Sequence, residues 1–210
     1  MNKCVIVGGV KINNTAQIKE YIDESDFVIA CDSGITSCKE LGITPNLIVG
    51  DFDSHEKPDT EIETITLPTA KDDTDTMFAA KEAVKRGFGE VVLLGAVGDR
   101  IDHTLANVYI LSYLQNEGVK GLIVDDFSEM LIIGKNGQNT GKISDIYGYF
   151  SLICLEGKVE GVTIKNAKFP LENGIITPNH QYATSNEVLP GEVAEVSIEN
   201  GSALLVKVFK

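Results

Sequence analysis

Short apolar runs recur along the first two-thirds of this 210-residue chain, and aspartates stand directly behind several of them. Cys4–Val7 ends in Gly8-Gly9, and Phe27–Cys31, Leu47–Val49, Ile62–Leu67, Val91–Leu94, Leu122–Val124 and Met130–Ile133 follow as strand candidates. Between them lie helical patterns. A polar stretch runs from Thr15 to Ile22, and Ile35–Leu41 is stopped by Gly42 and Pro45. Met77, Ala80 and Val84 recur at helical spacing within Thr74–Lys85, and Ile101, Leu105, Val108 and Leu111 mark an apolar face that ends near Gly118. Strands alternating with helices predict βαβ units, hence a mostly parallel sheet with helices on both faces, a three-layer α/β domain.

After Gly134 the pattern changes. The polar, glycine-rich segment Gly134–Gly141 reads as a linker, and beyond it apolar residues alternate with polar ones: Val162 and Ile164, Val196 and Ile198, then Leu204, Val206 and Val208. Asn-Gly pairs at 136–137, 173–174 and 200–201 suit the left-handed turns of tight hairpins. The expected organisation is an α/β domain over 1–135 and a small all-β antiparallel sandwich over 141–210.

Acids outnumber bases 31 to 18, and the formal net charge is −13. Nucleic acid and anionic membrane surfaces require clustered Lys and Arg, so both are excluded as partners. No apolar stretch approaches bilayer length. The four cysteines form no CxxC pair, and the three histidines form no zinc-type pair. A soluble, cytoplasmic protein with reduced thiols is expected.

The aspartates carry the chemical signal. Asp32 follows the second strand, Asp51 and Asp53 the third, Asp72, Asp73 and Asp75 the fourth, and Asp99 and Asp102 the fifth. In a parallel sheet these loops all open at the carboxyl edge, where open α/β folds bind ligands. Any one Asp or Ser before a helix is an ordinary N-cap. Eight acids converging with only Lys71 and Arg100 nearby would repel one another unless a cation holds them. Hard oxygen ligands without paired histidines suit Mg²⁺ bridging carboxylates to a polyphosphate. In Asp51-Phe52-Asp53 an extended turn would point both acids one way. Asp72 and Asp75 would share a face in the first turn of their helix. Lys71 and Arg100 are placed to meet phosphate, and His103 and Asn107, four apart, could reach a base or ribose. No P-loop and no GxGxxG fingerprint is present.

These residues resemble the thiamine pyrophosphokinases. The resemblance rests on Cys31-Asp32-Ser33-Gly34, Gly50-Asp51-Phe52-Asp53-Ser54, Lys71-Asp72-Asp73-Thr74-Asp75 and Gly98-Asp99-Arg100-Ile101-Asp102-His103 with Asn107 downstream. Thr184-Ser185-Asn186-Glu187 is similar to the family's thiamine-contacting segment. The resemblance implies a Mg²⁺-dependent homodimer that moves diphosphate from ATP to the hydroxyethyl group of thiamine, leaving AMP. It implies Mg²⁺ and phosphate at Asp51, Asp53 and Asp75, with Asp51, Asp72 and Asp102 at the catalytic centre. Asp32, Lys71, Thr74, Arg100, His103 and Asn107 would contact the nucleotide, and Ser185 and Asn186 the thiamine. Two departures stand out: Ser33 replaces the first glycine of the usual Asp-Gly-Gly, and the chain has no tryptophan to stack thiamine, leaving Tyr182 as a substitute.

Three other readings share these residues. A diphosphokinase on the same nucleotide domain could act on a pterin alcohol. Asp51-Phe52-Asp53 mimics the nucleophile motif of aspartyl-phosphate phosphatases, although His55 stands where that motif has Thr or Val. A non-catalytic nucleotide- or thiamine-binding module would not need the surplus of acids.

Overall fold

The computed structural model describes residues 2–52, 59–70, 72–98 and 100–210. Their contacts divide the chain into two units, Met1–Asp126 and Phe127–Lys210.

The first unit alternates strand and helix in the order β1 (Lys3–Val7), α1 (Thr15–Lys19), β2 (Phe27–Cys31), α2 (Gly34–Leu41), β3 (Leu47–Gly50), β4 (Glu63–Thr66), α3 (Asp75–Lys85), β5 (Glu90–Leu94), α4 (Ile101–Asn116) and β6 (Lys120–Val124). All six strands pair in parallel, in the order β4-β3-β2-β1-β5-β6. The central strands are continuous apolar runs because both their faces are covered; Val5, Ile6, Ile29, Leu93 and Leu94 are fully buried. Edge strand β4 is half-exposed, which is why its sequence alternates.

Right-handed crossovers turn this order into a position for a site. From β1 the chain steps through β2 to β3 on one side, whereas β5 leads to β6 on the other. The first path puts α1 and α2 on one face, and the connections through α3 and α4 occupy the opposite face; α1 packs on α2, and α3 on α4. The direction reverses between neighbours β1 and β5, so a crevice opens beyond their carboxyl ends. At the opposite edge Arg86 clasps Glu63 (2.6 Å) and Glu82 (2.9 Å) over the Phe27 ring, fastening the end of α3 to the starts of β4 and β2.

Helix α4 departs from expectation. Val108 and Leu111 are buried together with Ile110 and Leu114, but Ile101 is 64% and Leu105 55% exposed, with Tyr109 beside them at 51%. The helix is apolar around most of its circumference, so periodicity alone could not select the buried arc.

The second unit contains β7 (Ser128–Gly134), β8 (Thr140–Ser144), β9 (Tyr147–Ile153), β10 (Val159–Lys165), β11 (Leu171–Ile176), β12 (Val193–Ser197) and β13 (Ser202–Phe209). Antiparallel sheets β7-β13-β9 and β11-β10-β12-β8 enclose a core that includes Phe150, Leu152, Val162, Ile164, Val196 and Leu205. The two sheets form the expected sandwich. By contacts β7 groups with this unit, so 134–141 is a connection inside the sandwich. Asn136-Gly137 and Asn200-Gly201 occupy strand connections, but Asn173-Gly174 sits inside β11, where Asn173 has φ +50° and the β10–β11 register shifts as in a bulge.

Phe150 is fully buried at the centre of the sandwich core. Phe150→Ala is expected to cost about 3–5 kcal/mol, and Phe150→Leu less, both measured as lower urea midpoints at constant slope.

Candidate functional site

Backbone contact builds the crevice before any side chain enters it. A Cβ added at Gly8 would come within 2.5 Å of the Gly95 carbonyl oxygen, and one at Gly34 would overlap the carbonyl of Val7. Only glycine lets the loops behind β1, β2 and β5 pack so closely. Side chains from the β2, β3 and β4 loops then line a cleft of about 480 Å³: Asp32, Ser33, Asp51, Asp72, Asp73, Thr74 and Asp75, with Gly9 from the β1 loop and His103 from α4.

Two of these loops hold non-glycine residues in left-handed conformation. Asp32 has φ +45° while its N–H donates to Val49 O at 2.8 Å, carrying the sheet one residue past β2. Phe52, at φ +53°, replaces the extended turn expected between Asp51 and Asp53. Such conformations cost about 1–3 kcal/mol each and concentrate at functional sites. Asp53 and Lys71 lie outside the described residues, as does Asp99.

The β4–α3 loop delivers its acids by helix capping. Thr74 is the N-cap of α3, its Oγ1 accepting from Met77 N at 3.2 Å, and Asp75 is the first helical residue. Asp72 precedes the cap, so it does not share the first helical turn with Asp75 as the spacing suggested, although both line the cleft. Asp73 is held through both oxygens by Lys81 Nζ, at 2.9 and 2.7 Å. Beneath the acids the Cys31 thiol donates to Asp75 O at 3.7 Å, and burial pushes its pKa well above the ordinary thiol value. Cys4 and Cys38 are pushed up to about 12 by burial. All three are neutral thiols at physiological pH.

Helix α4 separates residues that its spacing had grouped. His103 reaches the cleft lining; Arg100, Asp102 and Asn107 do not. Asn107 is buried and donates from Nδ2 to Ala96 O at 2.8 Å. Thr104 Oγ1 accepts from Gly98 N at 3.1 Å and donates to Gly98 O at 3.2 Å. These two side chains fix the β5–α4 loop from behind, so Asn107 shapes the crevice and its amide is already committed. Arg100 and Asp102 form a bidentate pair on the helix surface, Nε–Oδ1 3.1 Å and Nη2–Oδ2 2.6 Å. The hydrogen bond from Arg100 holds the Asp102 carboxyl down at about 2.

In the sandwich, Ser185 is exposed at φ +55°, and its N–H donates to Ser151 Oγ at 3.0 Å. Asn186 is buried. Its Oδ1 accepts from Phe169 N (3.0 Å) and Glu187 N (2.9 Å), and its Nδ2 donates to Phe169 O (2.7 Å). Backbone bonds of 2.9 Å in both directions tie it to Phe150. Asn186 is thus a strut behind Ser185. Tyr182 lays its ring 4.7 Å from that of His180 and accepts Ile175 N–H at 3.1 Å. Sequence reasoning missed Cys31, Ser33, Thr69 and Thr76 as lining residues. Ser33 had a signal, its place before α2, yet its hydroxyl makes no cap bond; the threonines had none.

Residues 18–123 match the model of the thiamin pyrophosphokinase catalytic domain, and residues 139–203 that of the thiamin pyrophosphokinase vitamin B1 binding domain. The chain belongs to the thiamin pyrophosphokinase family. It is 27% identical over 191 residues to a thiamine pyrophosphokinase of Bacillus subtilis, covering 88% of each chain. Among solved structures it is similar to thiamine pyrophosphokinase from Bacillus subtilis, with TM-score 0.87, 22% identity and full coverage of both chains. A thiamin pyrophosphokinase family protein from Enterococcus faecalis superposes with TM-score 0.80 at 25% identity over the whole of both chains. The Candida albicans thiamin pyrophosphokinase shares the fold at 14% identity and TM-score 0.79, with 100% of this chain and 89% of that one covered. Family membership favours the thiamine reading over the pterin, phosphatase and binding-module alternatives.

Two outcomes test this site. Thr74→Ala should lower stability by about 1 kcal/mol, read from thermal melts, through loss of the α3 cap. Because its pKa is depressed, Asp102 contributes pairing stability above the ordinary carboxylate range, and loses it as pH falls through about 2. Arg100→Gln should return the Asp102 carboxyl toward about 3.9, followed by carboxyl-carbon NMR titration.

Proposed function

We propose that this chain transfers a diphosphoryl group from ATP to the hydroxyethyl oxygen of thiamine, releasing AMP. The carrying observation is the set of five aspartates, Asp32, Asp51, Asp72, Asp73 and Asp75, on one cleft at the switch-point crevice. A triphosphate could not enter so acidic a cleft without a cation.

The donor chemistry fits Mg²⁺. Carboxylate oxygens line the cleft, its one lining cysteine is a neutral buried thiol, and His103 is its single imidazole among the described residues. Among those residues no three acidic, histidine or cysteine side chains converge tightly enough to hold a metal alone. That suits an ion which takes one or two carboxylates and completes its shell with phosphate oxygens and water. Asp51, Asp53 and Asp75 would hold it, and the bound ion would neutralise charge on the phosphate oxygens.

The remaining steps belong to the chain's own groups. Lys71 and Arg100 meet phosphate, and Asp32, Thr74 and His103 contact the nucleotide. Asn107 acts behind the loop it fixes. The thiamine oxygen attacks the β-phosphorus in line; the new O–P bond forms as the bond from that phosphorus to the α,β-bridging oxygen breaks, and AMP departs. Asp72 accepts the hydroxyl proton, a task that demands little basicity in a loose transition state. Ser185, braced by Asn186, contacts thiamine in the second unit. We take the protein to act as a homodimer in the cytoplasm. Ile101, Leu105 and Tyr109 supply an apolar stripe suited to pairing, and four free cysteines suit a reducing compartment.

Incubation with ATP, Mg²⁺ and thiamine should yield AMP and thiamine diphosphate in equal amounts; ADP as the nucleotide product would overturn diphosphate transfer. Asp51→Asn and Asp75→Asn should each lower kcat by about 100-fold or more, with the melting temperature little changed.

A further inference from the structure

Arg100 occupies the N-cap position of α4, yet its side chain makes no cap bond. Its guanidinium fork instead closes on both oxygens of Asp102, two residues along. That two-pronged geometry is the one with which arginine receives a phosphate. Both side chains are mostly exposed, 70% and 64%, so the pair is in contact with water and exchanges readily. The pair borders His103, which lines the acidic cleft, while neither partner does so itself. Asp102 is also a poor proton acceptor, since Arg100 holds its carboxyl well below the usual carboxylate range.

We infer that Asp102 is a positioning residue, a latch that keeps the Arg100 fork ordered beside the cleft and yields it to the phosphates of an incoming nucleotide. The inference rests on the diphosphotransfer reading and refines it. Left alone at a helix N-terminus, a long cationic side chain would sample many rotamers and meet the unfavourable end of the helix dipole. Asp102 offsets the dipole and selects the fork orientation. A triphosphate carries more charge than a carboxylate and displaces it; Asp102 then faces solvent. The latch lowers nucleotide affinity slightly while keeping the receiving geometry ready.

The test is calorimetric titration of the Mg²⁺ complex of α,β-methylene-ATP into the full-length protein and three variants, with steady-state kinetics in parallel. Asp102→Asn should bind about two- to fivefold more tightly, the worth of one exposed ion pair. Arg100→Gln should bind about tenfold more weakly. The double variant should match Arg100→Gln, because without the arginine there is nothing to release. If wild type binds the analogue and Asp102→Asn binds no more tightly, the latch is wrong. A loss of about 100-fold in kcat for Asp102→Asn with unchanged affinity would make Asp102 the proton acceptor instead and overturn the latch. Failure of wild type to bind the analogue would overturn the nucleotide reading itself, and the latch with it.

Discussion

Mutual repulsion among carboxylates is the constraint around which the first unit is organised. Asp32, Asp51, Asp72, Asp73 and Asp75 share one cleft, and like charges gathered there repel one another. The backbone opposes their spreading apart. Gly8 against Gly95 and Gly34 against Val7 press the loops together, while the left-handed residues Asp32 and Phe52 hold strand ends in conformations they would not adopt freely. A local cation removes part of the load: Lys81 takes both oxygens of Asp73. The result is a cleft lined by carboxylates from the three successive loops behind β2, β3 and β4.

The strands and the acids behind them were legible because both signals are local. A continuous apolar run bounded by glycine identifies a doubly covered strand, and β2 runs over Phe27–Cys31 as read. Once the sheet is parallel, its carboxyl edge collects every loop that follows a strand, so Asp32, Asp51 and Asp75 could be gathered without coordinates. The failures arise where a residue has two outlets of similar energy. Ile101 and Leu105 fit an apolar face of α4, but so do Ile110 and Leu114, and packing chose the second arc. Asn173-Gly174 suits a hairpin turn and a bulge alike, and pairing with β10 selected the bulge. Asn107 and Asn186 carry amides that could meet a ligand or the backbone; burial decided for the backbone, because an unsatisfied amide there would cost about 1–3 kcal/mol.

Those two asparagines show how each unit holds a flexible segment in a fixed shape. In the first, Asn107 reaches from α4 to Ala96 O and Thr104 grips both polar groups of Gly98, so the loop at the crevice is held by side chains behind it. In the second, Asn186 bonds Phe169 in both directions and pairs its backbone with Phe150, leaving Ser185 outward at φ +55°. The exposed groups His103 and Ser185 are near or immediate neighbours of the buried, hydrogen-bonded Asn107 and Asn186. Division of labour along the sequence follows from this: a buried amide sets the backbone path, and a residue one to four positions away inherits its precision. Replacing such an amide by an apolar residue of similar size would take a hydrogen-bond partner from Ala96 O in the case of Asn107, and from Phe169 N, Phe169 O and Glu187 N in the case of Asn186. The damage would appear first as a loosened loop and only then as lost chemistry. The same logic accounts for Arg100 and Asp102 differing from the rest. On an exposed helix surface no burial enforces a single partner, so the pair that forms there is able to exchange without unfolding anything around it.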